Sequence, residues 1–114
     1  MKQLNSVLGA KGEIQALKYL TENKYKILFT NYKNKIGEID IIAKQKEYIV
    51  FIEVKKRETL AFGRPSEAVD KRKQQKIRLV AQMFLKQYKL FDSDVRFDVI
   101  EIIGDELNHI ENAF

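Results

Sequence analysis

Two acids and a lysine interrupt the most apolar part of this chain. Asp40 sits in Gly37-Glu38-Ile39-Asp40-Ile41-Ile42-Ala43, and Glu53 and Lys55 sit in Tyr48-Ile49-Val50-Phe51-Ile52-Glu53-Val54-Lys55-Lys56-Arg57. A charge inside an apolar strand is costly unless it is paired or binds a metal. Carboxylates are hard oxygen donors that suit Mg²⁺ or Mn²⁺, and magnesium is usually held by one or two of them together with water and substrate phosphate. A neighbouring ammonium can orient the attacking water, help to deprotonate it, and offset charge that grows on a phosphate during displacement. Zinc suits this chain poorly, because there is no cysteine and the single histidine, His109, lies near the C-terminus, where a surface or tail-packing role is expected. An ion pair between Lys55 and the acids on an exposed sheet face, worth little in stability, is the plainer alternative and stays open at this point.

The elements around these residues decide whether they can meet. Two β-rich runs joined by the polar bend from Lys44 to Glu47 predict a hairpin. Alternation then puts Glu38, Asp40 and Ile42 on one face of the first strand, and Ile49, Phe51, Glu53 and Lys55 on one face of the second. Before them, residues 3–23 read as a helix in which Glu13 falls within the apolar stripe of Ala16, Leu17 and Leu20. Gly9 and Gly12 are poor helix residues, so the helix starts late or another backbone approaches there. Gly9-Ala10-Lys11-Gly12 also matches the GxxG loop with which KH modules clamp nucleic acid. Residues 25–33 read as the first strand.

After Arg57, a loop with a turn at Gly63-Arg64-Pro65 leads to Ser66 as a candidate N-cap and a long helix over residues 67–89. Val69, Ile77, Val80, Ala81, Phe84 and Tyr88 form its apolar stripe, and Lys73 lies on that stripe. Residues 95–103 read as a fourth strand, followed by Gly104 and a tail whose Leu107, Ile110 and Phe114 are apolar enough to dock on the body. The order helix, three strands, helix, strand predicts an α/β structure: a mixed sheet flanked by helices, with a crossover helix before the last strand.

At 114 residues the chain fits one domain. Without cysteine it has no disulfide and no thiol nucleophile, which is compatible with a reducing cytoplasm. The longest apolar run, Tyr48 to Ile52, is far short of a membrane span, and polar residues break any N-terminal signal-like core, so a soluble cytoplasmic protein is expected. The formal net charge is +5 and the pI near 9.4. From Glu53 to Arg78 nine basic residues face four acidic ones, so the whole excess lies next to the carboxylates. There is no phosphate-binding glycine loop with its lysine, no serine with a convincing histidine base, and no calcium loop around Asp92-Ser93-Asp94.

Gly12-Glu13 with Ala16 and Tyr19-Leu20, Asn31, the Gly37–Ala43 and Phe51–Arg57 blocks, Phe62-Gly63, Ala68-Val69 with Lys73, Arg96-Phe97-Asp98-Val99 and Asn112-Ala113-Phe114 resemble the YraN-type family of bacterial proteins. That family is similar in motif to the PD-(D/E)XK nucleases, Holliday-junction resolvases especially. The resemblance implies a restriction-endonuclease-like αβββαβ core. It also implies a Mg²⁺- or Mn²⁺-dependent DNA endonuclease acting on branched, recombination or repair intermediates. Asp40 and Glu53 would hold the metal, Glu13 would assist as the first-helix acid, and Lys55 would serve the attacking water. Ile39 stands where the superfamily's name has proline. Lys56, Arg57, Arg64, Lys71, Arg72 and Lys73 would contact phosphates, with binding that weakens steeply as salt rises. Two symmetric cuts across a junction would call for a homodimer. A non-catalytic nucleic-acid-binding module supporting recombination, repair or DNA uptake is the main alternative. An adaptor whose basic face meets an acidic protein is the third.

Overall fold

A computed structural model describes the backbone of residues 2–59 and 63–114 and the side chains from Ala10 onward; Phe62 of the Phe62-Gly63 pair lies outside the described residues. The elements run α1 (Lys2–Glu22), β1 (Lys26–Lys33), β2 (Glu38–Gln45), β3 (Tyr48–Arg57), a 3₁₀ turn (Pro65–Ala68), α2 (Lys71–Gln87), β4 (Asp94–Ile103) and β5 (Glu106–Ile110). The strands form one mixed sheet in the order β1-β2-β3-β4-β5. Among the described strands only β3 and β4 run parallel, which is what a helical crossover between them requires. The αβββαβ order expected from the sequence is present.

Alternation builds a core on each face. Ile42, Ile49, Phe51 and Val99 meet Ile77, Val80, Ala81 and Phe84 of α2 on one side. Ile41, Ala43, Val50, Ile52, Ile100 and Ile102 meet Ala16 and Leu20 of α1 on the other. A sheet covered on both faces explains why β2 and β3 read as nearly continuous apolar runs rather than alternating ones. It also makes any acid within them conspicuous.

Three local readings change. Gly9 and Gly12 lie inside α1, so the GxxG match is helix and not a clamp loop. Gly12 is where the sheet approaches: a Cβ there would lie 3.2 Å from the Lys56 Cβ on β3. The second helix begins at Lys71 rather than residue 67, because Asp70, not Ser66, caps it by accepting from the Lys73 N–H at 2.9 Å. The tail expected to dock is partly a fifth strand, pairing antiparallel with β4 from Val99↔Ile110 to Ile103↔Glu106.

The closing residues are anchored through Asp98. Its carboxylate accepts from Arg96 Nε at 2.9 Å and Nη2 at 2.8 Å and from the Asn112 N–H at 2.9 Å, and contacts His109 Nε2 at 2.6 Å. Burial alone would raise the Asp98 carboxyl, but hydrogen bonds from His109, Arg96 and Asn112 hold it below the usual range. On the other face, Phe114 stacks on Phe97 and Arg78 lies over both rings, 5.0 and 5.4 Å from their centroids. The Arg96-Phe97-Asp98 and Asn112-Ala113-Phe114 motifs therefore serve the fold, and of the surface and tail-packing roles expected for His109 the structure shows the second.

Candidate active site

Asp40 and Glu53 meet where the β2–β3 hairpin opens. The regular register runs from Gln45↔Tyr48 to Ile41↔Ile52 and then stops, one residue short of the pair Asp40 and Glu53. Beyond that point the Val54 N–H donates to Asp40 Oδ2 at 2.9 Å. Glu53 is 3% exposed, and among the described residues its buried Oε1 has no hydrogen-bond partner. Burial first, then the hydrogen bond and charge of Asp40, push the Glu53 carboxyl up to about 9. The charges of Lys73 and Lys55 pull it the other way, which puts both ammonium groups within electrostatic reach of the acid. An orphaned buried carboxylate oxygen beside a second carboxylate fits an oxygen-preferring divalent cation.

Glu13 reaches the same corner from α1 but does not close on the pair. Its Oε2 accepts from Asn31 Nδ2 at 3.3 Å, and its pKa is raised by burial first and then, against the Asn31 bond, by the charges of Asp40 and Glu38. The close approach at Gly12 lets α1 deliver it there. Asn31 itself has a left-handed backbone, φ 52, in the middle of β1. It lies between the pairs Thr30↔Ile41 and Tyr32↔Ile39, hence opposite Asp40. Asparagine adopts that conformation more cheaply than most residues and supplies the amide that holds Glu13. The sequence resemblance marked Asn31 without giving it a role.

Glu101 is an acid that the sequence reading passed over. It is the β4 partner of Lys55, fully buried, and its Oε1 accepts from Arg64 Nε at 2.9 Å and Nη2 at 2.6 Å. Burial would raise it, but bonds from Arg64, Ser66 and Asn108 keep it ionised. Its signal was present in the apolar run around it, Val99-Ile100-Glu101-Ile102, the same signal that drew attention to Glu53.

The basic residues divide. Lys73 is half-buried near Glu53, and Lys71 and Arg72 are exposed on the first turn of α2. Arg57 is exposed and Arg64 half-exposed, the latter bound to Glu101. Lys56 points to the α1 face, where its Nζ donates to Gln15 Oε1 at 2.7 Å and the Gly104 carbonyl at 2.8 Å. Strand alternation explains this, since a residue next to Lys55 must face the other way.

Among the described residues, Asp98, His109 and Glu111 are the one trio whose ligand-type atoms all lie within 4.8 Å of one another. Arg96 already occupies that cluster, 2.8 Å from Asp98 and 3.3 Å from Glu111, and its guanidinium stands where a cation would.

Residues 12–102 match the model of a family described as "Uncharacterised protein family UPF0102". A UPF0102 protein of Alkaliphilus oremlandii is 48% identical over 117 residues, covering 97% of this chain and 100% of the relative. One from Caldanaerobacter subterraneus is 47% identical over 122 residues, covering all of both chains. One from Acetivibrio thermocellus is 47% identical over 116 residues, covering 93% of this chain and 89% of the relative.

Proposed function

The chain belongs to the UPF0102 family, the YraN-type family read from its motifs, and from the site it builds we propose that it is a metal-dependent DNA endonuclease acting on branched, recombination or repair intermediates. The observation that carries this reading is the buried Asp40–Glu53 pair with its orphaned Glu53 Oε1. Glu101 Oε2 is likewise buried without a partner, but Glu101 is already paired with Arg64, whereas among the described residues no ion pair holds Asp40 or Glu53.

Asp40 and Glu53 would hold Mg²⁺ or Mn²⁺, with Glu13 assisting through its place beside Asn31. The cation would supply Lewis acidity to the phosphodiester and lower the pKa of the attacking water. Lys55, on the Glu53 face of β3, orients that water and offsets charge building on the phosphate. Lys73 adds positive charge at the same place, while Lys71, Arg72 and Arg57 seat the phosphate backbone. Such contacts orient DNA without reading its sequence, so preference should follow DNA shape.

The test is incubation of the pure protein with four-way junction, flap, duplex and single-stranded DNA in Mg²⁺, Mn²⁺ or EDTA. Hydrolysis in metal and none in EDTA is the expected result. Binding without hydrolysis in either metal would overturn the enzyme reading in favour of a non-catalytic nucleic-acid-binding module. Absence of both would leave the adaptor.

A further inference from the structure

At the end of the hairpin remote from the acids, four lysines gather. Lys26 on β1 and Lys44 on β2 are direct partners in the ladder, so their side chains leave the same face from Cβ atoms about 5 Å apart. Lys24 and Lys46 flank them in the turns before β1 and after β2, with left-handed backbones of φ 68 and 53 that glycine or asparagine would adopt at lower cost. All four are exposed, and among the described residues none is in an ion pair. Like charges opposed across antiparallel strands destabilise, so the folded protein gains nothing from this arrangement. Residues 24–26 and 44–48 hold four lysines against Glu47 alone. The excess over Glu53–Arg78 accounts for the net charge, but the remainder is unevenly spread and leaves this second cationic corner.

The corner is pre-set. Arg96 ties its two segments together, with Nη2 donating to Tyr25 OH at 2.6 Å and Nη1 to Gln45 Oε1 at 3.1 Å. The same guanidinium lies 5.6 Å from the centroid of Tyr48, which is 41% exposed. Lys44 is four residues from Asp40 on β2, so the two sites are about 13 Å apart along the strand. α2 packs across that sheet face. Its first turn brings Lys73 to Glu53, and its later turns put Phe84 against Phe29 and Phe51. Its 17 residues span about 25 Å. A straight duplex lying along this face meets the helix, whereas a nucleic acid whose segments diverge can engage both ends.

We propose that the corner of Lys24, Lys26, Lys44 and Lys46 binds the phosphate backbone of a second DNA segment, an arm diverging from the one held at Asp40 and Glu53. This rests on the nuclease reading for the location of the first segment.

The experiment is equilibrium binding of the full chain in EDTA to a four-way junction and to a linear duplex of one arm pair, across a salt series. The variants are Lys26→Glu/Lys44→Glu and the neutral Lys26→Gln/Lys44→Gln, each checked for native circular dichroism. Loss of at least about tenfold in junction affinity, a salt slope smaller by about two, and less than a twofold change on linear duplex are expected. The Gln pair guards against misfolding and should move in the same direction by less. Wild-type binding to both DNAs with no selective loss in either variant overturns the second surface and leaves the nuclease reading intact. No wild-type binding to any DNA overturns both.

Discussion

Asp40→Asn is expected to lower metal-dependent cleavage by at least about 100-fold while leaving the fold and DNA affinity nearly unchanged. The substitution keeps an oxygen that accepts from the Val54 N–H, so the opened end of the hairpin retains its bond. It removes the charge that would hold a cation against Glu53. Binding of DNA in EDTA should be equal or slightly tighter, since an anion has left the phosphate-binding side. Lys55→Ala should cost cleavage by a similar factor, for a different reason. The metal ligands survive, but the water and the developing phosphate charge lose their cation. Comparable loss in both variants, with the thermal midpoint moved by only a few degrees, is the pattern expected of a catalytic pair. Full cleavage by Asp40→Asn would remove Asp40 from the chemistry.

Glu53→Gln should make the metal-free protein more stable, and more so at alkaline pH. In the unfolded chain Glu53 ionises near its ordinary value of 4.5, while in the folded chain it keeps its proton to about 9. Between those values the native state binds the extra proton, so stability falls as pH rises through that window. Glutamine carries no such liability. Its gain should be small near pH 5 and reach at least about 1 kcal/mol near pH 8, or roughly 4–8 °C in thermal midpoint. Magnesium should raise the midpoint of the wild-type protein most at the alkaline end, because a cation beside Glu53 offsets the buried charge that appears there as its proton leaves. The variant should respond little. Thermal melts in EDTA and in magnesium at pH 5 and pH 8 would read this, and a variant less stable than wild type at both pH values would contradict it.

Much of the architecture was legible because each element carried its own period. The helical spacing of Ile77, Val80, Ala81 and Phe84 gave α2, and two dense apolar runs around a polar bend gave the central hairpin. The acids stood out because a sheet covered on both faces leaves little room for charge. What was not legible depended on tertiary contact. β5 is short and half-buried, with Asn108 and His109 between its apolar residues, so its pairing with β4 had no strong local signature. Asp70 rather than Ser66 caps α2, because the Pro65–Ala68 turn intervenes.

The site was read unevenly for similar reasons. Asp40, Glu53 and Lys55 followed from alternation, which also accounts for Lys56 facing α1. Asn31 needed its backbone conformation to be seen, and its bond to Glu13 joins elements 18 residues apart in sequence. Arg64 meets Glu101 across 37 residues, so no local pattern announced that pair. The lysine corner is likewise spread over two segments, and only the Lys26↔Lys44 register brings it together.

Direct measurement of cation binding bears most closely on the acid pair. Titrating Mn²⁺ into the metal-free protein and following the free-ion signal by electron paramagnetic resonance should show one saturable site per chain in the wild type. Asp40→Asn and Glu53→Gln should each abolish it, and Asp98→Asn, on the opposite sheet face, should leave it in place. Uptake unchanged in both acid-pair variants, or none in the wild type, would contradict a metal centre at Asp40 and Glu53.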